Sequence, residues 1–589
     1  MLRILLSLFP LILAAVGALA WWISSVEHEA MLGHMNAIAP DGEVRSYSFA
    51  THDRLQANLR AASIVLVVLG LLLFLLRERV WKWLCGPPGT PSFGEEMRRE
   101  WRTLRRHTSK GHHQLVVLLL VIAALLRGWA LFLPITYDEA FTYVYYASRP
   151  LHVLLSDYSY PNNHVFHSLL VKLSTGVFGI NKVALRLPAF VAGMLALPVF
   201  YLFVRRMFNR HIALLTLVLL VPYGRFIEYG ALARGYAITW LCFVCALLLG
   251  RRMVKEDDRT CAVLIALCCA IGLWAVPTMI YPTAMVYIWL LLYIASRYND
   301  SRARRMVTWV VSGLALVLLT GLLYMPLLVV NGLDRLLHHE VLGPAGLEHF
   351  LATYEESILS FWAWSTDVLF PFGGVAVIVA LVVAGYVSAK YRRAGFAMAL
   401  GAVPLVVIQM DVAPPRAWAY AWFIFLLGGA IALYYLFKAV HDRGVTWLND
   451  RRRVVVAAIV LLPAMAIPAL RELSQDPGRS HQAADCARSL VELLGPGDRI
   501  LVQYPWEAPV EFEAMSRGMD RAHFHVGPGP GGRTWAVVGV GQSLADVLAL
   551  HEVNVPVGAF DLVQDRDGMK IFAARTGSAP PVGTADDTR

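Results

Sequence analysis

Two adjacent carboxylates, Asp138 and Glu139, stand where an apolar run from Leu115 to Leu133, broken only by Arg127, should leave a bilayer. Tyr137, Phe141, Tyr143, Tyr145 and Tyr146 flank them. A carboxylate at such a boundary can take a proton from a hydroxyl and so act as a general base. The same residues also suit a simpler role, with the acids marking the water boundary and the tyrosines forming an interfacial belt. Adjacent side chains leave a helix or strand in different directions, so the two carboxylates should not share one task.

Other polar residues recur at spacings that could serve the same chemistry. His164, Ser168 and Lys172 repeat at i, i+4, i+8, opposite an apolar face of Phe166, Leu169, Leu170, Leu173 and Val177. That is the pattern of an interfacial helix whose polar side opens to a cleft. Lys172 could meet a phosphate there, or simply snorkel. The turn from Tyr223 to Tyr236 is unusually polar for a link between spans, and its Arg225, Glu228 and Arg234 need partners or a function. The Arg234 guanidinium suits a phosphate clamp; an ion pair with Glu228 is its structural alternative. Arg416, after Pro414 and Pro415, is a further cation at a span boundary.

His164 and His167, three apart, could join Asp138 around a divalent cation, but neither ligand count nor geometry supports a metal assignment. No metal ligand and no certain cofactor are therefore assigned. His338-His339-Glu340 lacks metalloprotease spacing, and no phosphate-binding Gly-rich loop occurs, which disfavours nucleotide-driven chemistry. The segment from Asn331 to Asp367, with Phe361, Trp362 and Trp364, suits a lid or re-entrant segment.

The elements that must position these residues follow from composition. Of 589 residues, 57% are hydrophobic and 16% charged, against about a quarter charged in soluble domains. The chain is expected to be a polytopic α-helical membrane protein. Its net charge of +10 would suit nucleic acid. Lys and Arg, however, cluster between apolar spans as the positive-inside rule requires, so nucleic acid is not an expected partner. Seven cysteines include five in apolar spans, and no two fall together in one aqueous compartment, so no structural disulfide is expected.

A retained span from Ile4 to Ile23 and a second from about Ala61 to Leu76 precede a strongly basic segment, Arg77 to Lys110. Later basic clusters at 205–210, 251–255, 302–305, 390–393 and 451–453 leave room for two spans between neighbours. The count reaches about thirteen, with the N-terminus inside and the C-terminus outside. Three regions are predicted. Residues 1–113 hold two spans and the basic loop, and 114–470 form the membrane-embedded core. Residues 471–589 form a small extracytoplasmic α/β domain with a disordered tail after Ser578. That domain shows a helix over 483–494, strands at 499–503 and 534–540, and a Gly-Pro loop at 527–532. It has few candidate catalytic groups and suggests acceptor binding.

The motif Tyr137-Asp138-Glu139-Ala140 resembles the first-loop motif of the GT-C glycosyltransferases, which include protein O-mannosyltransferases and lipid A aminoarabinose transferases. The stretch from Tyr160 to Leu170, then Phe178-Gly179 and Leu185-Arg186-Leu187-Pro188, is similar to the succeeding segment of the bacterial branch. Ala233-Arg234-Gly235-Tyr236 resembles the next motif of that branch, except that Leu232 stands where a glutamate is usual. The resemblance is strongest over 115–250. It implies a transferase in the bacterial cytoplasmic membrane that moves a sugar from a polyprenyl-phosphate carrier to a cell-envelope acceptor, with inversion. Asp138 would be the base and Glu139 a supporting group. Lys172, Arg234 and Arg416 would meet the donor phosphate, and Tyr137, His164, Glu228 and Tyr236 would line the cleft. A transporter or lipid flippase is the alternative, although few charges fall inside the predicted spans.

Overall fold

The computed structural model describes residues 2–574 except 39–46, 86–92, 107, 161, 257, 297–300, 338–345, 445–449, 477, 554 and 567. His338-His339-Glu340 and the tail after Ser578 lie outside the described residues. Among those described, ten helices are long and apolar enough to cross a membrane, from Leu6–Ile23 to Arg452–Gln475. Four apolar helices are shorter, Val165–Phe178, Arg210–Leu220, Arg259–Ala275 and Gly373–Val387, so the described residues give ten such spans against the thirteen or so expected. The chain is a multi-pass membrane protein.

It folds as two compact units. The first comprises Met1–Ala130, Leu151–His167 and Pro188–Ser474. Its N-terminal helices Leu2–Ile23 and Phe49–Cys85 pack as a hairpin in which a Cβ at Gly70 would lie 2.7 Å from the Pro10 carbonyl, so only glycine allows the approach. The Ser63 hydroxyl donates to the Gly17 carbonyl at 2.7 Å. Small residues and side-chain hydroxyls are what membrane helices use in place of hydrophobic contrast. Where the basic clusters lie, Arg252 is buried and pairs with Glu96 at 2.5 Å, Glu100 at 3.1 Å and Asp258 at 3.2 Å. The Asp258 carboxylate also caps the next helix by accepting from the Thr260 amide.

The second unit comprises Leu131–Pro150, Ser168–Leu187 and Gln475–Arg589. Its sheet has strands β1 (Arg499–Val502), β2 (Thr534–Val538), β3 (Phe560–Arg566) and β4 (Met569–Ala574), ordered β1-β2-β4-β3. β1 and β2 are parallel; the other pairs are antiparallel. Alternate residues enter two cores. Ile500, Val502, Trp535 and Val537 meet the helix His481–Leu493 on one face. Leu501, Ala536 and Val538 meet the helix Leu544–Leu550 on the other. The expected helix, first two strands and Gly-Pro loop are all present; β3 and β4 are additions. The acidic segment at 131–150 folds with this α/β layer: the Ser480 amide donates to the Ile135 carbonyl at 2.9 Å, and Thr136 forms an antiparallel bridge with Arg479.

Candidate active site

In the second unit the acidic pair lies on a five-residue helix, Tyr137–Phe141, which continues into a π-helical turn, Thr142–Ala147. A helix this short has little stability of its own, so its placement depends on what grips it. Thr136 and Glu139 form a capping box, with the Thr136 amide donating to Glu139 Oε2 at 3.1 Å. Arg186 then takes Glu139 in a two-pronged pair, Nε to Oε1 and Nη2 to Oε2, both 2.7 Å. The same guanidinium donates to the carbonyls of Leu131 at 2.9 Å, Leu133 at 2.7 Å and Pro134 at 3.0 Å. Glu139 is 0% and Arg186 1% exposed. Glu139 is thus absorbed in holding the segment. Asp138, the next residue back, is only half-buried. Neighbours on one helix turn thus differ in exposure.

Tyr137 is fixed from the C-terminal part of the same unit. Its hydroxyl donates to Glu507 Oε1 at 2.6 Å, and its ring meets Tyr504 edge-on at 5.0 Å and Phe141 at 5.7 Å. Burial raises the Glu507 carboxyl above its usual range; the Tyr137 hydroxyl acts against this and Glu511 with it. One turn further, Glu511 is held by Arg521 and His525, both at 3.0 Å, and Arg521 also reaches the Ser148 hydroxyl at 3.2 Å. Lys172 comes to the far end of the π turn. Its ammonium donates to the carbonyls of Ala147 at 3.1 Å and Arg149 at 2.6 Å, which uses two of its three donors. The Val165–Phe178 helix that carries it is helical as expected. Its polar His167 and Ser168 are buried, whereas Leu173, Val177 and Phe178 are exposed, an arrangement suited to apolar surroundings.

The first unit holds the remaining predicted residues. Arg234 is buried and donates to the side-chain carbonyl of Asn162. His164 Nδ1 accepts from the Gly235 amide at 3.0 Å, and its ring meets Tyr236 edge-on at 5.6 Å. A Cβ at Gly235 would come within 2.8 Å of the Ala275 carbonyl, so the Ala233-Arg234-Gly235-Tyr236 turn requires its glycine. Burial holds the His164 imidazole well below its usual pKa; Arg234, His167 and Arg416 push the same way. Glu228 is bound by Arg225 at 2.9 Å. Arg225 also meets Asp367 at 2.8 Å, Glu472 at 3.0 Å and the face of Trp364, and so ties the polar turn to two other elements. Arg416 is exposed on a short 3-10 turn, Pro415–Trp418. Among the described residues, no three His, Cys, Asp or Glu side chains gather as a metal site.

Two residues now central were not singled out from sequence. Arg186 appeared only within Leu185-Arg186-Leu187-Pro188, although a lone arginine in an apolar stretch signals a buried partner. Glu507 carried no pattern at all. Residues 163–324 match the family model described as dolichyl-phosphate-mannose-protein mannosyltransferase. Structures of ArnT from Cupriavidus metallidurans, in the apo state and bound to undecaprenyl phosphate, align with TM-scores of 0.54 and 0.52 at 14% and 15% identity. The alignments cover 80% and 79% of this chain and 100% and 99% of theirs. The chain has the GT-C glycosyltransferase fold. No curated protein sequence matches it. The matched stretch, 163–324, contains His164, Lys172, Arg186, Glu228, Arg234 and Tyr236, and begins after Asp138 and Glu139.

Proposed function

We propose that this chain transfers a sugar from a polyprenyl-phosphate donor to a hydroxyl acceptor of the cell envelope, with Asp138 as general base. The observation that carries the proposal is the divergence of the two carboxylates: Glu139 is saturated by Arg186 and Thr136, while Asp138 keeps access. The acceptor oxygen bonds to the anomeric carbon as its proton passes to Asp138. The bond from that carbon to the phosphate oxygen breaks, and the polyprenyl phosphate leaves with the electron pair. Direct displacement inverts the centre. Charge grows on the departing phosphate, so cations aimed at it stabilise the transition state. Arg234, Arg416 and the third donor of Lys172 are assigned to that phosphate. Tyr137, His164, Glu228 and Tyr236 are assigned to the surrounding cleft.

An apolar groove in the first unit supports an isoprenoid donor. It holds about 530 Å³ and is lined by Phe350, Tyr354, Ile358, Val403, Trp418 and Phe425. Trp418 closes the same 3-10 turn that carries Arg416, so an apolar chain and a phosphate cation meet on one element. ArnT was solved with a lipid of this kind, undecaprenyl phosphate. Neutralising Arg234 or Lys172 with Gln is expected to weaken use of a polyprenyl-phosphate sugar by about tenfold or more, the value of one charge-assisted contact, with acceptor dependence unchanged. Normal donor dependence in both variants, measured in a reconstituted transfer assay, would return them to structural roles.

The transfer is placed on the extracytoplasmic side of the bacterial cytoplasmic membrane. With basic clusters inside and an odd number of spans, a reporter fused after Leu490 is expected to read as extracytoplasmic. A cytoplasmic signal would overturn the orientation and with it the side on which Asp138 works.

A further inference from the structure

We propose that Glu507 is a positioning residue for Asp138, acting through Tyr137, so that the C-terminal segment is part of the transfer machinery and more than an acceptor-binding module. The proposal rests on Asp138 being the base. Asp138 follows Tyr137 on a helix of five residues, too short to hold its own orientation. Arg186 and Thr136 fix that helix from the Glu139 side. The other side is fixed by Tyr137, whose hydroxyl ends on Glu507 at 2.6 Å and whose ring is set against Tyr504.

Glu507 sits at the first position of the helix Glu507–Met515, and that helix is itself anchored on both sides. Val510 enters the core shared with β1 and β2. Phe512 meets Tyr143 of the π turn edge-on at 5.4 Å, and Glu511 is clamped by Arg521 and His525. Each link from sheet to carboxylate is therefore held by packing, an ion pair or a hydrogen bond. Glu507 Oε1 accepts from Tyr137, while Oε2 is buried and makes no hydrogen bond among the described residues. A half-buried carboxyl whose shielded oxygen makes no hydrogen bond among the described residues costs fold stability. It is better explained as a strong acceptor dedicated to one hydroxyl.

The test is a set of variants in full-length protein reconstituted in nanodiscs, with correct insertion confirmed for each. Glu507→Ala is expected to lower kcat for transfer by about tenfold to a hundredfold, the scale of a misplaced catalytic group, with KM for the polyprenyl-phosphate sugar unchanged. Glu507→Gln keeps an acceptor for Tyr137 and should recover most of that loss. Tyr137→Phe removes one oxygen and should match Glu507→Ala, and the double variant should be no worse than either single one. Multiplying losses, or kcat within twofold of wild type for Tyr137→Phe, would overturn the proposal; Tyr137→Phe alone decides it should Glu507→Ala fail to insert. Asp138→Asn is run beside them. An inactive Asp138→Asn with normal Tyr137→Phe sinks the positioning role alone, whereas an active Asp138→Asn sinks the base assignment beneath it.

Discussion

Asp138→Asn is expected to slow single-turnover transfer by about a hundredfold to ten-thousandfold, the usual contribution of a general base, while binding of the donor survives. The substitution preserves the shape of the side chain and removes only its capacity to take a proton. Its structural cost should be small, because the helix Tyr137–Phe141 is held through Glu139 and Tyr137, and the Asp138 side chain stays half-buried at its edge. Rate and binding should therefore separate. Measured in detergent or nanodiscs with folding checked independently, near-normal transfer by Asp138→Asn would exclude it as the base. Transport or scaffolding would then account better for the chain.

The features legible in the sequence were those that depend on neighbours along the chain. Apolar runs and basic clusters report span positions because each span answers to the bilayer on its own. Alternation in Arg499–Val502 and Thr534–Val538 reports strands because adjacent residues face opposite cores. Asp138 and Glu139 were visible as an acidic pair, and the expectation that they would not share one task followed from the geometry of adjacent residues. The long-range contacts of the pair and of Tyr137 were not visible. Glu139 meets Arg186 across 47 residues and Tyr137 meets Glu507 across 370, and no local pattern encodes such pairings. The same blindness hid the association of the acidic segment with the C-terminal sheet. The β3–β4 hairpin is a different kind of miss: Asp567-Gly568 is a strong two-residue turn signal, and Gly568 has the positive φ of 83° that such turns use. Alternation in β3 is weak, with Leu562 and Val563 both exposed, and this obscured the strand.

Glu139→Gln should fail in the opposite way from Asp138→Asn, by losing stability before chemistry. The Arg186 guanidinium is buried against three carbonyls and one carboxylate. Carbonyl oxygens satisfy its N–H donors, and Glu139 supplies a balancing charge at 2.7 Å. Removing one partner of a buried pair typically costs about 3–5 kcal/mol, since the other charge stays behind in a poor solvent. Arg186→Leu should cost at least as much, because the buried Glu139 carboxylate would then lose its two-pronged cationic partner. Arg186→Lys should not rescue, since an ammonium cannot reproduce a two-pronged grip and three carbonyl bonds together. The measurements are thermal stability of the purified protein and turnover per folded molecule. Stability should fall sharply in all three variants, and the folded fraction of Glu139→Gln should turn over far faster than Asp138→Asn. Wild-type stability in Glu139→Gln, combined with a loss of transfer as deep as that of Asp138→Asn, would instead place Glu139 in the chemistry and leave the Arg186 pair without its structural role.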